Sequence, residues 1–455
     1  MFFGSCSVAK AQSIMTVPNE RALEELSIEE LTHQIRRDKF DQILPQIMRE
    51  HNIDMWIQVM TEGIPDPMRD ELGSNNGVFI FTDRGGDRIE RAVIGHRWKP
   101  SARGSGFIRA PYLDVVRETG AYDIIAEESL REEKPGGPKS ELDHRFEGVG
   151  EFVAERDPKV IALNYLEDLG LPVVYEIPRI RSDGISFTGY NLLVKEVGEI
   201  YAERFVSAEY LIYDYLSRRV DSEIVMFKKI RKWLTETVDA DFRKIVPGET
   251  RYSDLQVGGL HYKMEDGGRG RRGGVVEGGD LIQVLKGRQS HHYMDDSWIF
   301  GNFYEDYIAY GYVLREDETE PPPKVKRAWE DALTVRKILV DNIKVGRTAG
   351  ETLEILKQNI NEAGLEFLNT HETKNALDPE KTLVPLDLHA AGKGINGPRI
   401  SPLGPDWQRD YPLALNHHPF FEYWVYVPMP EWVKGDIYLY NFMTVRLSPN
   451  VESSM

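Results

Sequence analysis

The sequence predicts an α/β amino-terminal domain followed by a larger α+β domain. Three observations predict it: a helix-then-strand opening, a change near residues 195 to 210 to long helical stretches, and a pattern in the second half that occurs twice. That pattern is a helix, then Ile-x-x-Gly-x-Thr, then a second helical stretch.

In chain order, a helix is expected from Ser27, with Leu31, Ile35, Phe40, Ile43, Leu44 and Ile47 near helical spacing, followed by a strand from Ile53 to Val59. Gly77 to Thr82 and Ile89 to Ile94 are β-branched apolar runs. The residues between them, Asp83 to Arg88, carry the Gly and Asp chemistry of a hairpin loop. Glu132 to Ser140 breaks regular structure, and Val160 to Asn164 reads as a buried strand. A helical region follows Val206, and from Ser222 the residues Ile224, Phe227, Ile230, Leu234, Val238 and Phe242 trace one apolar stripe.

The repeated pattern is Ile245-Val246-Pro247-Gly248-Glu249-Thr250 and Ile343-Lys344-Val345-Gly346-Arg347-Thr348, where Thr348 and Glu351 form a capping box. A duplicated half-domain is expected, although two helix-ending glycines also resemble each other because C-caps favour Gly. Leu281 to Leu285, Tyr307 to Leu314, Trp424 to Val427 and Ile437 to Leu447 read as strands of a sheet backed by the helices.

Composition narrows the function. With 455 residues the chain is long enough for two to three domains, and no apolar run approaches the ~20 residues that span a bilayer. The net charge of -18 repels a phosphate backbone, so no nucleic-acid partner is expected, and Arg269 to Arg272 reads as a solvated loop. A single cysteine, Cys6, excludes an intrachain disulfide and a Cys-based structural zinc site. Met1 to Ala11 ends in an A-x-A pattern but lacks a basic start and a full apolar core. Residues 1–26 are therefore expected to be leader-like or disordered, and both an exported, periplasmic protein and a cytoplasmic one stay open.

Several segments together resemble the peptidase M24 family, which includes aminopeptidase P, prolidase, methionine aminopeptidase and creatinase. They are Gln34 to Phe40, Phe81 to Arg91, Tyr201 to Glu209, Glu277-Gly278-Gly279-Asp280-Leu281-Ile282, Tyr312-Val313-Leu314-Arg315, His389-Ala390-Ala391-Gly392 and Pro428-Met429-Pro430-Glu431-Trp432. The resemblance covers most of the chain. It implies a creatinase-like amino-terminal α/β domain over 27–205 and a pita-bread carboxy-terminal domain of two pseudo-symmetric halves over 206–455. It further implies a homodimer, a peptide or small amide substrate, and a pair of divalent ions (Mn, Zn, Co or Fe) held by two Asp, one His and two Glu.

Carried over residue by residue, that ligand set is incomplete. The first aspartate falls on Leu285, the metal-binding histidine on Thr382 and the last glutamate near Phe442. Glu422 matches the remaining glutamate, His389 matches a second active-site histidine, and the second aspartate matches either Asp296 or Asp306. Asp296, Asp306 and Glu422 are thus the candidate metal ligands, and His389 and Glu422 the candidate catalytic pair.

One Asp and one Glu cannot hold two divalent ions. Either His291, His292, Asp295, His417 and His418 help to rebuild the site, or these are polar loop residues. Three readings follow: an Xaa-Pro aminopeptidase-like hydrolase with a repaired metal site, a metal-free carbon–nitrogen hydrolase resembling creatinase, and a non-catalytic homologue that binds peptide or protein. For the metal-free reading His261 is a further candidate, with a loop histidine as the alternative.

Overall fold

The computed structural model describes residues 19–61, 64, 66–74, 76–96, 116–127, 145–167, 184–255, 262–263, 268–269, 274–286, 307–370, 380–390, 398–404, 406–429 and 435–444. They fall into two compact units. One runs from Asn19 to Glu223 and the other from Ile224 onward, each over its described residues.

In the first unit, α1 (Glu20–Glu24) precedes α2 (Ile28–Asp38), which begins where the sequence predicts. The Ser27 hydroxyl accepts from the Glu30 N–H, and the Glu30 carboxylate accepts from the Ser27 N–H at 2.8 Å, so two otherwise unpaired N–H groups are satisfied. After Asp38 the helix widens to a π-helical turn, Lys39–Ile43, and continues as α3 (Leu44–Glu50). Lys39, one turn after the buried Ile35, lies in the core. There its ammonium donates to the Tyr215 carbonyl and, at 2.7 Å, to the Arg218 carbonyl.

A six-stranded sheet follows, built from β1 (Met55–Met60), β2 (Gly77–Asp83), β3 (Ile89–His96), β4 (Ile124–Glu127), β5 (Ile161–Leu163) and β6 (Phe205–Ser207). Its spatial order is β4-β3-β2-β1-β5-β6, with a β1-β2-β3 antiparallel meander and parallel pairs at β1-β5, β5-β6 and β3-β4. Alternation puts Trp56, Met60, Phe79 and Phe81 into one core and Met55, Ile57, Val59, Val78 and Ile80 into the other. Both faces are covered, because α4 (Arg69–Leu72) and α8 (Glu209–Ser217) pack on the first core, and α5 (Val149–Arg156) and α6 (Phe187–Val197) pack on the second. The short α7 (Glu199–Ala202) leads into β6.

The sequence reading sets a boundary at 205/206, whereas the compact units divide after Glu223. Helix α8 belongs to the first unit because Leu211, Tyr215 and Leu216 are buried in the same core as Phe40 and Trp56. The division falls inside α9 (Asp221–Phe242).

In the second unit the two turns that end in Gly are built alike. Gly248 (φ 82°) and Gly346 (φ 89°) both adopt the left-handed conformation that favours glycine, and the isoleucine three residues before each is buried. Gly248 N–H donates to the Val276 carbonyl at 2.7 Å and Gly346 N–H to the Leu413 carbonyl at 2.8 Å. Beyond the turns the copies diverge. Thr348 caps α11 (Ala349–Glu362), whereas among the described residues Thr250 leads to a 3-10 turn, Tyr252–Asp254.

Helix α10 (Pro323–Asn342) and α11 back a four-stranded sheet of order β11-β12-β13-β14. Its strands are β11 (Glu366–Leu368), β12 (Leu383–Ala390), β13 (Pro419–Met429) and β14 (Gly435–Thr444). A short helix, α12 (Asp406–Asp410), precedes β13. Two hairpin-like pairs complete the unit: β7 (Tyr262–Lys263) with β8 (Gly268–Arg269), and β9 (Leu281–Lys286) with β10 (Tyr307–Tyr312). Gly268-Arg269 is therefore strand-paired rather than loop, which corrects the reading of the start of the Arg269 to Arg272 stretch; residues 270–273 lie outside the described residues, as does Glu132 to Ser140.

Candidate functional site

The pleat of β12 and β13 sorts their side chains onto two faces. Val384, Leu386 and Leu388 of β12 and Phe421, Tyr423, Val425 and Val427 of β13 enter the core beneath α10 and α11, and the Tyr423 hydroxyl donates to the Ala332 carbonyl at 3.1 Å. Asp387, His389 and Glu422 alternate with these residues and occupy the opposite face. Register joins them, since Asp387 pairs with Glu422 and His389 with Phe420.

Two bonded pairs result. His389 Nε2 lies 2.8 Å from Glu422 Oε2, and both side chains are mostly buried, at 18% and 15% exposed. Beside them Arg399 grips Asp387 with two bonds, Nε to Oδ1 at 2.7 Å and Nη2 to Oδ2 at 2.5 Å. Arg399 is placed by backbone pairing, because Ile400 and Leu388 exchange both of their N–H···O bonds.

The two carboxyls are driven apart. Burial is the largest influence on Glu422 and pushes its carboxyl above the ordinary value; the His389 bond and charge pull it back, and Asp387 adds to the rise. Burial acts the same way on Asp387, but the Arg399 hydrogen bonds and charge outweigh it and hold that carboxyl below its usual value. The Asp387 carboxylate is thus held ionised beside Arg399, while the Glu422 carboxyl, raised by burial, meets the His389 imidazole. Such an arrangement can take up and release a proton at one point in space.

The remaining sequence-derived positions do not add metal ligands among the described residues. Thr382 is buried and its hydroxyl donates to Asp331 on α10, toward the helices and away from the face that carries Glu422. Position 285 lies within β9, opposite Ile308, and carries leucine; position 442 lies directly across from Glu422 in the β13-β14 register and carries phenylalanine. The described donor set therefore does not fit a pair of ions: Glu422 is one carboxylate, and one of its oxygens already meets His389. Asp296 and Asp306 lie outside the described residues, as do His261, His291, His292 and Asp295.

His417 and His418 are both buried. The His417 Nδ1 accepts from the Ala414 N–H at 2.9 Å, and the His418 ring meets Phe227 edge to face. Sequence reasoning missed Asp387 and Arg399. The signal was the alternation in Val384-Pro385-Leu386-Asp387-Leu388-His389, which puts an acid and a histidine on one strand face.

No protein-family model and no curated protein matches the sequence. Solved structures do match. An X-Pro aminopeptidase from Thermotoga maritima is similar over 89% of this chain and 95% of its own, with 14% identity and a TM-score of 0.51. A protein described as an aminopeptidase P from Bacillus anthracis is similar over 90% of this chain and 93% of its own, with 11% identity and a TM-score of 0.51. At such identities the likeness bears on architecture alone, and it shows that this chain has the fold of the peptidase M24 family.

Proposed function

We propose that this protein is an M24-fold hydrolase that cleaves an amide-type carbon–nitrogen bond by proton transfer through His389 and Glu422, without the family's two-metal centre. The observation that carries it is the 2.8 Å Nε2–Oε2 pair on the sheet face beside the ionised Asp387–Arg399 pair. In this reading the second unit is a pita-bread domain of two pseudo-symmetric halves, supported by the matched Gly248 and Gly346 turns.

His389 takes a proton from the attacking water, Glu422 stabilises the imidazolium, and the proton passes to the leaving nitrogen. Water adds across the bond, giving C–OH and N–H, with the protein returned to its starting state. Peptides with proline after the first residue are the first substrates to assay, and small amides and guanidino compounds follow. In this reading His389→Ala and Glu422→Gln each lower turnover of the responsive substrate by about 10²- to 10⁴-fold. Undiminished turnover in both variants contradicts it.

A two-metal Xaa-Pro aminopeptidase is the second reading, favoured by the fold shared with the X-Pro aminopeptidase. It needs Asp296 or Asp306 beside Glu422, with Mn, Zn, Co or Fe bound.

A further inference from the structure

The first unit carries a group of metal-ligand side chains outside the His389–Glu422 site. Glu29 and His33 stand one turn apart on α2 and so share a face, and Glu118 reaches them from the segment 116–118. Their ligand atoms, two carboxylate oxygens and an imidazole nitrogen, all lie within 4.8 Å of one another. Among the described residues none of the three makes a hydrogen bond or ion pair. The neighbouring guanidinium groups are engaged elsewhere, Arg36 with the Glu71 carbonyl and Arg37 with the Thr119 carbonyl and Gln34.

The scaffold under the group is fixed. Leu31 and Ile35 bury the opposite side of α2, Val116 is in the core, and buried Thr119 bonds the Val116 carbonyl and the Ala121 N–H. The Arg37–Thr119 bond at 2.8 Å ties the segment that carries Glu118 to the helix that carries the other two. The two carboxylates are exposed and the imidazole is half-buried, and the three donors, unpaired among the described residues, converge on one point from two elements pinned together.

The geometry points to a binding site for a first-row divalent ion of the zinc class at Glu29, His33 and Glu118. One nitrogen and two carboxylate oxygens suit Zn²⁺, whereas Ca²⁺ and Mg²⁺ take oxygen donors only. Three protein ligands leave the rest of the coordination sphere to water, so the ion is exchangeable.

This inference is independent of the proposed reaction, and it has a practical consequence: metal found in the purified protein does not by itself report on Glu422. The test is calorimetric titration of the untagged full chain with Zn²⁺ near pH 7. The site predicts that the native chain and Glu422→Gln bind alike, and that His33→Ala lowers affinity at least about tenfold. Glu118→Gln weakens binding as well. Absence of zinc uptake by the native chain, unchanged affinity in His33→Ala, or loss of binding in Glu422→Gln instead overturns it.

Discussion

At the scale of single residues, the two buried pairs answer to different physics. Removing Arg399 leaves the Asp387 carboxylate buried without its cation, and breaking such a pair costs about 3 to 5 kcal/mol. Arg399→Met should therefore lower stability by about that much in urea unfolding, and removing both charges together, with Asp387→Leu added to Arg399→Met, should recover most of it. His389→Ala should be far milder for folding, since Glu422 can then take up a proton. The site was partly legible at this scale. His389 and Glu422 were reachable by comparison along the sequence, but Thr382 was not interpretable by counting alone. Only the strand parity shows that position 382 faces α10, an odd number of residues from His389.

At the scale of elements, helix ends are where sequence spoke most clearly. Ser27 and Thr348 each complete a capping box, and each was visible as a hydroxyl residue with Glu three positions on. Thr348→Ala should cost about 1 kcal/mol in thermal or urea unfolding.

The π-helical turn at Lys39–Ile43 was invisible in the spacing, because Phe40, Ile43 and Leu44 fit a plain α-helix almost as well. It has a pH signature. Burial, offset in part by Glu223, depresses the Lys39 ammonium from its ordinary value to about 7. The unfolded chain then binds one more proton than the folded chain above that point, so this residue makes stability rise with pH from about 7 until its ordinary titration range. Urea unfolding of Lys39→Met should show a flatter pH dependence than the native chain across that window.

Strand β12 escaped notice because Pro385 interrupts its pattern, yet that proline sits in register with Leu368 at the end of short β11. Missing β12 meant missing Asp387, and with it the charge next to Glu422.

At the scale of the molecule, the mixed α/β character and most strands of both units follow from alternation and apolar runs in the sequence. The division after Glu223 does not. A helix as continuous as α9 offers no composition break, and only the burial of α8 beside Trp56 shows where the first core ends. The shared M24 fold supplies the sheet face that carries Asp387, His389 and Glu422, and position 442, which carries phenylalanine, lies across from Glu422 in the strand register. No helix among the described residues is long and apolar enough to cross a membrane.

The central claim is that this face works by proton transfer alone. Its most direct test is turnover of the responsive substrate by protein freed of metal with a strong chelator, before and after Mn²⁺, Zn²⁺, Co²⁺ or Fe²⁺ is returned. Metal-free proton transfer gives equal rates in all samples and a collapse in His389→Ala and Glu422→Gln; rates that vanish with the chelator and return with one of these ions contradict it.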